Sequence, residues 1–164
     1  MAVNSAKVER RKLRFENLDE LLDELTRIEQ ADSMGRLHVT GNWSPGQILS
    51  HVAAWIEYGW VGYPVKPPPF FIRWILKLML GKYLKSGMPS GVKIPGVKGG
   101  TVGQDEAPMT HAIARLRTNI QRLKCGERSK FDSPAFGPMS HEDRIALNLR
   151  HAELHLGFMN YDLR

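Results

Sequence analysis

Apolar residues recur at helical spacing in four stretches of the chain. In residues 17–31, Leu18, Leu21, Leu22, Leu25 and Ile28 fall on one face. Asn17 is placed to cap this helix. Asp19, Glu20, Asp23 and Glu24 put negative charge near the positive end of its dipole, and Gly35 closes it. A second helix is predicted over 45–60. Ser44, Pro45 and Gln47 form a capping box ahead of a stripe of Ile48, Leu49, Val52 and Ile56. A third runs over 109–124 with Ile113, Leu116, Ile120 and Leu123 on its stripe and Gly126 beyond it. The fourth runs over 141–159, capped by Ser140, with Ile145, Leu149, Ala152, Leu156 and Met159 inward. Period-two alternation is not convincing anywhere, so strands are expected to be few or absent. Four helices, each with one apolar stripe, predict an all-α fold, a four-helix bundle in a single domain over 1–164.

Residues 62–104 break the pattern and read as an insert between the second and third main helices. Pro64, Pro67, Pro68 and Pro69 forbid a continuous helix at its start. A partly helical piece, FFIRWILKLMLGKYLK, follows, and then a Gly/Pro-rich loop. The helical piece suits either packing on the bundle or lying on a membrane surface. Its wide apolar face favours packing.

Composition narrows the class. The chain has 164 residues, 42% hydrophobic and 24% charged, which is enough to bury a core. Its single cysteine, Cys125, cannot make an intramolecular disulfide, which fits a reducing compartment. The charged start lacks the apolar stretch of a secretory signal, and no run reaches the length of a membrane span. A cytoplasmic protein without a transmembrane segment is expected. Of 23 basic and 17 acidic residues, net +6, residues 1–14 carry +4 and residues 58–104 carry +7 with no acid at all. The first segment reads as a basic lead that can be flexible. The second would attract an anion, such as a small molecule or an acidic surface. No nucleic-acid recognition module is visible, so no nucleic-acid partner is expected.

Six histidines are the candidates for chemistry. His38, His111 and His141 read as surface or capping residues. His151 and His155 are four apart on the last helix, so both rings can reach one cation. With Ala152 at the stripe centre they sit about 100° and 60° to one side; His51 sits about 100° off Val52 on the same side of the second helix, with Trp55 at about 60°. If those helices are neighbours, three imidazoles converge at one end of the bundle. Three neutral imidazoles hold a divalent ion such as Zn²⁺, Ni²⁺ or Fe²⁺ with positions left for water or substrate. The segment HAELH is not a zincin motif, because Glu153 points away from His155. Asn148, one turn before His151, is a candidate to line the site or orient a ligand. Cys125, at a helix C-terminus, reads as an unactivated thiol, and no nucleophile-elbow spacing supports a hydrolase triad.

The string GNWSPGQILSHVAAWIEY, with its WS-x-G-Q-x-x-x-H pattern, and the late HAELHLGFM resemble the DinB-like (YfiT-type) metalloenzyme superfamily over residues 15–160. The P-P-P-F-F and G-M-P-S-G-V insert resembles a domain-of-unknown-function branch within it. The resemblance implies a four-helix bundle with long crossovers and a metal held by one histidine of the second helix and an HxxxH pair of the last. Those ligands fall on His51, His151 and His155. It also implies metal-dependent S-transfer of a low-molecular-weight thiol such as bacillithiol, mycothiol or glutathione, or isomerisation of maleylpyruvate with mycothiol. A bound metal could equally serve a hydrolase. The substrate would be a small molecule, in one version an anionic thiol, and the assembly a homodimer. Two other readings stand beside this one: a non-catalytic metal-binding or stress-related bundle, and a basic amphipathic interaction module that needs no metal.

Overall fold

A computed structural model describes residues 3, 4 and 7–163. Among them the chain is mostly helical, with five helices and one two-stranded sheet. In chain order these are α1 (Leu18–Ser33), β1 (His38–Val39), α2 (Pro45–Val61), α3 (Phe70–Ser86), α4 (Met109–Lys124), α5 (His141–Leu156) and β2 (Met159–Asn160).

The local signals act as their chemistry requires. The Asn17 side chain accepts from the Glu20 N–H at 3.0 Å, and the Ser140 side chain from the Asp143 N–H at 2.9 Å. At Ser44 the capping box is complete, with the Gln47 side chain accepting in return from the Ser44 N–H at 3.0 Å. The core joins the stripes of α1, α2, α4 and α5, with Leu21, Leu49, Leu116 and Leu156 wholly inaccessible to solvent. α2 lies in the middle of this packing, against α4 and α5, while α1 packs on the same two helices. α3 is the helical piece of the insert. It packs on α5 yet buries none of its residues fully.

The last helix is shorter than its apolar stripe. It ends at Leu156 rather than 159. Gly157 follows, and a Cβ there would lie 2.9 Å from the Arg11 carbonyl and 3.0 Å from that of Glu153. The incoming N-terminal segment occupies this position, and Met159 leaves the helix to pair with Val39 in the antiparallel sheet. So one small sheet exists where sequence alternation gave no sign of it. Two residues per strand are too few to carry a period.

The basic stretch ahead of α1 lies against this end of α5. Residues 1, 2, 5 and 6 of it fall outside the described residues. The Arg11 N–H donates to the Gly157 carbonyl at 2.8 Å, and the Arg11 side chain donates to the Met159 carbonyl at 2.5 Å and to Glu24 at 2.6 Å. Glu24 is buried and also accepts from Tyr161 at 2.9 Å. One carboxylate therefore ties the N-terminal segment, α1 and the C-terminal segment that follows β2 together, through Tyr161, six residues beyond His155. Replacing it strands a cation with little access to water. Glu24→Leu is expected to lower stability by about 3 kcal/mol in urea unfolding; a loss below about 0.5 kcal/mol, the range of ordinary surface changes, would show that the tie is not needed.

Candidate metal centre

α2 and α5 face each other with their histidines in phase. The centroid of the His51 ring is 4.4 Å from that of His155 and 5.0 Å from that of His151, and the latter two are 4.6 Å apart. One ring nitrogen from each lies within 4.8 Å of the others. Two nitrogens on one ion stand at most about 4.2 Å apart, given bonds of about 2.1 Å. Small ring rotations therefore close the set around a single cation. Among the described residues no carboxylate or thiol joins this cluster.

The tautomer of His51 is fixed by its partner. Its Nδ1 lies 2.8 Å from the Val102 carbonyl. A carbonyl only accepts, so Nδ1 carries the proton and Nε2 keeps its lone pair. A metal-ligating histidine is held in the same way when a backbone carbonyl takes its other N–H. No protein group hydrogen-bonds the ring nitrogens of His151 or His155 among the described residues.

Val102 reaches His51 because the return of the insert lies tight against α2. A Cβ on Gly46 would stand 2.0 Å from the Ala107 carbonyl oxygen. A Cβ on Gly103 would meet the Ala54 Cβ at 2.7 Å, and Gly103 has φ +82°, where side chains are strained. Ser44 adds a hydrogen bond to Glu106 at 2.7 Å. Gly46→Ala has backbone in its way, so the return segment must move. A loss of about 1–3 kcal/mol and weaker metal retention are expected in thermal unfolding and metal analysis; an unchanged protein would contradict the docking argument.

Aromatic rings surround the imidazoles. Trp43 stacks on His155, with planes 9° apart and centroids at 5.5 Å. Trp55 lies 5.7 Å from His151 and 6.0 Å from His51, and Tyr63 lies behind it at 5.8 Å. The indole N–H of Trp55 is buried with no hydrogen-bond partner. Beyond, the Tyr63 hydroxyl accepts from Arg144 at 3.0 Å.

Burial dominates the electrostatics. It holds His51 at about 4, against an ordinary 6.5, and the Val102 hydrogen bond only partly opposes this. His151 is pushed well below 6.5 by burial and then by its neighbour His51. His155 is lowered by burial first, then by His151, His51 and Arg10. All three are neutral at pH 7, the form a metal needs. The unfolded chain takes up protons below 6.5 and the folded one does not. The resulting stability is therefore complete above 6.5 and is lost as pH falls towards 4. His51 alone accounts for about 3 kcal/mol over that window, at about 1.4 kcal/mol per unit. Metal-free protein should show a urea midpoint that falls from pH 6.5 to 4, with a shallower slope in His51→Gln. Equal slopes would contradict the assignment.

The other candidates lie elsewhere. His38 and His111 are exposed, and His141 sits beside the end of α4, its Nε2 3.1 Å from the Leu123 carbonyl. Among the described residues Asn148 makes no hydrogen bond to the three imidazoles. Its amide donates to the Arg144 carbonyl of its own helix at 3.0 Å. Glu153 accepts from the Phe15 N–H at 2.6 Å and pairs with Arg150 at 2.9 Å. Cys125 is an exposed thiol at the end of α4. Sequence reasoning missed the role of Trp43 against His155 and that of the Val102 carbonyl. Trp43 stands in the WS-x-G-Q string, but no periodicity marks a residue ahead of a helix. A backbone carbonyl has no sequence signature.

The family described as "Protein of unknown function (DUF1569)" matches residues 7–161, and the chain belongs to it. No curated protein matches the chain, and neither does any solved structure.

Proposed function

We propose that the chain is a metal-dependent enzyme of the DinB-like type, in which α1, α2, α4 and α5 form the four-helix bundle and His51, His151 and His155 hold one divalent ion. The observation that supports this reading is the donor set itself: three neutral imidazoles from two helices, converging with no carboxylate or thiol among them. Such a set suits Zn²⁺, Ni²⁺ or Fe²⁺ and leaves coordination positions free, as catalytic sites do and structural sites do not. When bound, the ion supplies Lewis acidity, lowering the pKa of a thiol or water held at those positions.

The residues of the chain then have distinct tasks. The Val102 carbonyl orients His51, and Trp43 fixes the plane of His155. Trp55 and Tyr63 wall off water on the other side, and the unpartnered Trp55 N–H is a donor for a substrate oxygen. No side chain of the cluster is a nucleophile, so the attacking group comes from a co-substrate. A low-molecular-weight thiol transferred to an electrophile, or a water in hydrolysis, fits that requirement.

Elemental analysis of the purified protein should find about one ion per chain. His151→Ala should weaken retention by more than about a hundredfold, beyond the loss typical of changes to groups that merely support a ligand. Thiol transfer to a model electrophile should stop on chelation while far-ultraviolet dichroism is unchanged. Metal-free wild type would refute the reading. Chelation that melts the helices instead would assign the ion a structural role.

A further inference from the structure

α3 is apolar on nearly all sides, which in a folded protein calls for cover on all sides. α5 covers one side only. On the other, Phe70, Phe71, Trp74, Ile75 and Leu78 occupy an arc of about 140° and are open to solvent, Phe70 at 84%, Trp74 at 65% and Leu78 at 66% exposure. Ile72, at 39% exposure, lies on α3 about 60° beyond this arc, and the other exposed large apolar residues, Val3, Met34, Val61, Val92 and Phe131, lie outside α3. The expectation that the insert packs on the bundle is therefore met on one side of the helix and not on the other.

Charge says what covers this face. Lys82 and Lys85 continue the same arc in the last turns of α3, and Lys77 lies at its edge. Residues 58–104 contain no acid. At the C-terminal end of α3, beside Gly87, lies a cavity of about 400 Å³ lined by Arg10, Arg11, Lys12, Arg14 and Arg150 against one acid, Glu153. Arg150 is 4% exposed, and its Nε and Nη1 have no hydrogen-bond partner. A second copy pairing through this same face would offer these cations no carboxylate, since residues 58–104 contain none. An anionic surface with an apolar interior matches both the rings and the lysines, whose stems can bury while their ammonium groups stay at the headgroups. α3 has 17 residues, and no helix among those described is long and apolar enough to cross a membrane, so it would lie in the plane of the interface.

We propose that the outer face of α3 is a docking surface for an anionic lipid membrane, with Phe70, Phe71, Trp74, Ile75 and Leu78 entering the acyl boundary and the lysines and the adjoining basic cavity meeting the lipid phosphates. This is independent of metal chemistry.

Co-sedimentation of the full chain with vesicles tests it. Phosphatidylcholine vesicles containing about a third phosphatidylglycerol should bind the protein in a salt-sensitive way, and phosphatidylcholine alone should bind it weakly. The paired substitution Trp74→Glu and Leu78→Glu, at exposed positions, should reduce binding at least tenfold. Lys77→Gln, Lys82→Gln and Lys85→Gln should each reduce it roughly fivefold. His151→Ala should bind vesicles as wild type does, which keeps this result separate from the metal assay. No binding to anionic vesicles would overturn the proposal. So would equal binding by the Glu pair, since adsorption would then be by charge alone. A wild-type dimer that the Glu pair makes monomeric would overturn it too, by assigning the face to a second copy.

Discussion

The hydrogen bond from His51 to the Val102 carbonyl joins α2 to the return segment of the insert. Without it, a buried imidazole in the middle of α2 would leave a polar N–H unsatisfied beside the apolar core, a state that proteins seldom tolerate. With it, the donor is satisfied, the tautomer is set and the remaining lone pair is available. The bond exists only because the return of the insert lies flush on α2, through glycines at positions 46 and 103. The irregular segment is thus part of the histidine cluster, although it contributes no side chain to the donor set.

Desolvation gives the cluster its character. Three imidazoles this close cannot all be charged, and with no carboxylate to compensate them, neutrality is the stable state. The same features that depress their proton affinity leave three lone pairs free at neutral pH. Trp43 and Trp55 keep the surroundings apolar. Fold and candidate site therefore share one cause. α2 and α5 bury adjacent faces, and the histidines ride at the rim of those faces.

Much of this could be read from the chain. The caps at Asn17, Ser44 and Ser140 set three helix starts because a side-chain oxygen there satisfies a specific backbone N–H. Helical phase placed His51, His151 and His155 on corresponding sides of two helices, and the sole further condition was that those helices be neighbours. The end of α5 was misjudged, since the apolar stripe continues to Met159; the helix ends at Gly157, a residue type that favours helix ends, where the N-terminal segment docks through Arg11. The Val39–Met159 pairing was too short to show as alternation. For α3, composition predicted an apolar helix but not that its outer side would be left open, because one-sided cover depends on where α5 lies.

The central claim is that one cation sits among these three imidazoles. X-ray absorption at the edge of the bound element, together with an anomalous difference map of the crystallised protein, tests it directly. The account predicts one peak between residues 51, 151 and 155, with three nitrogen ligands at about 2.0–2.1 Å. A metal located elsewhere, or a coordination sphere without three histidine nitrogens, would contradict it.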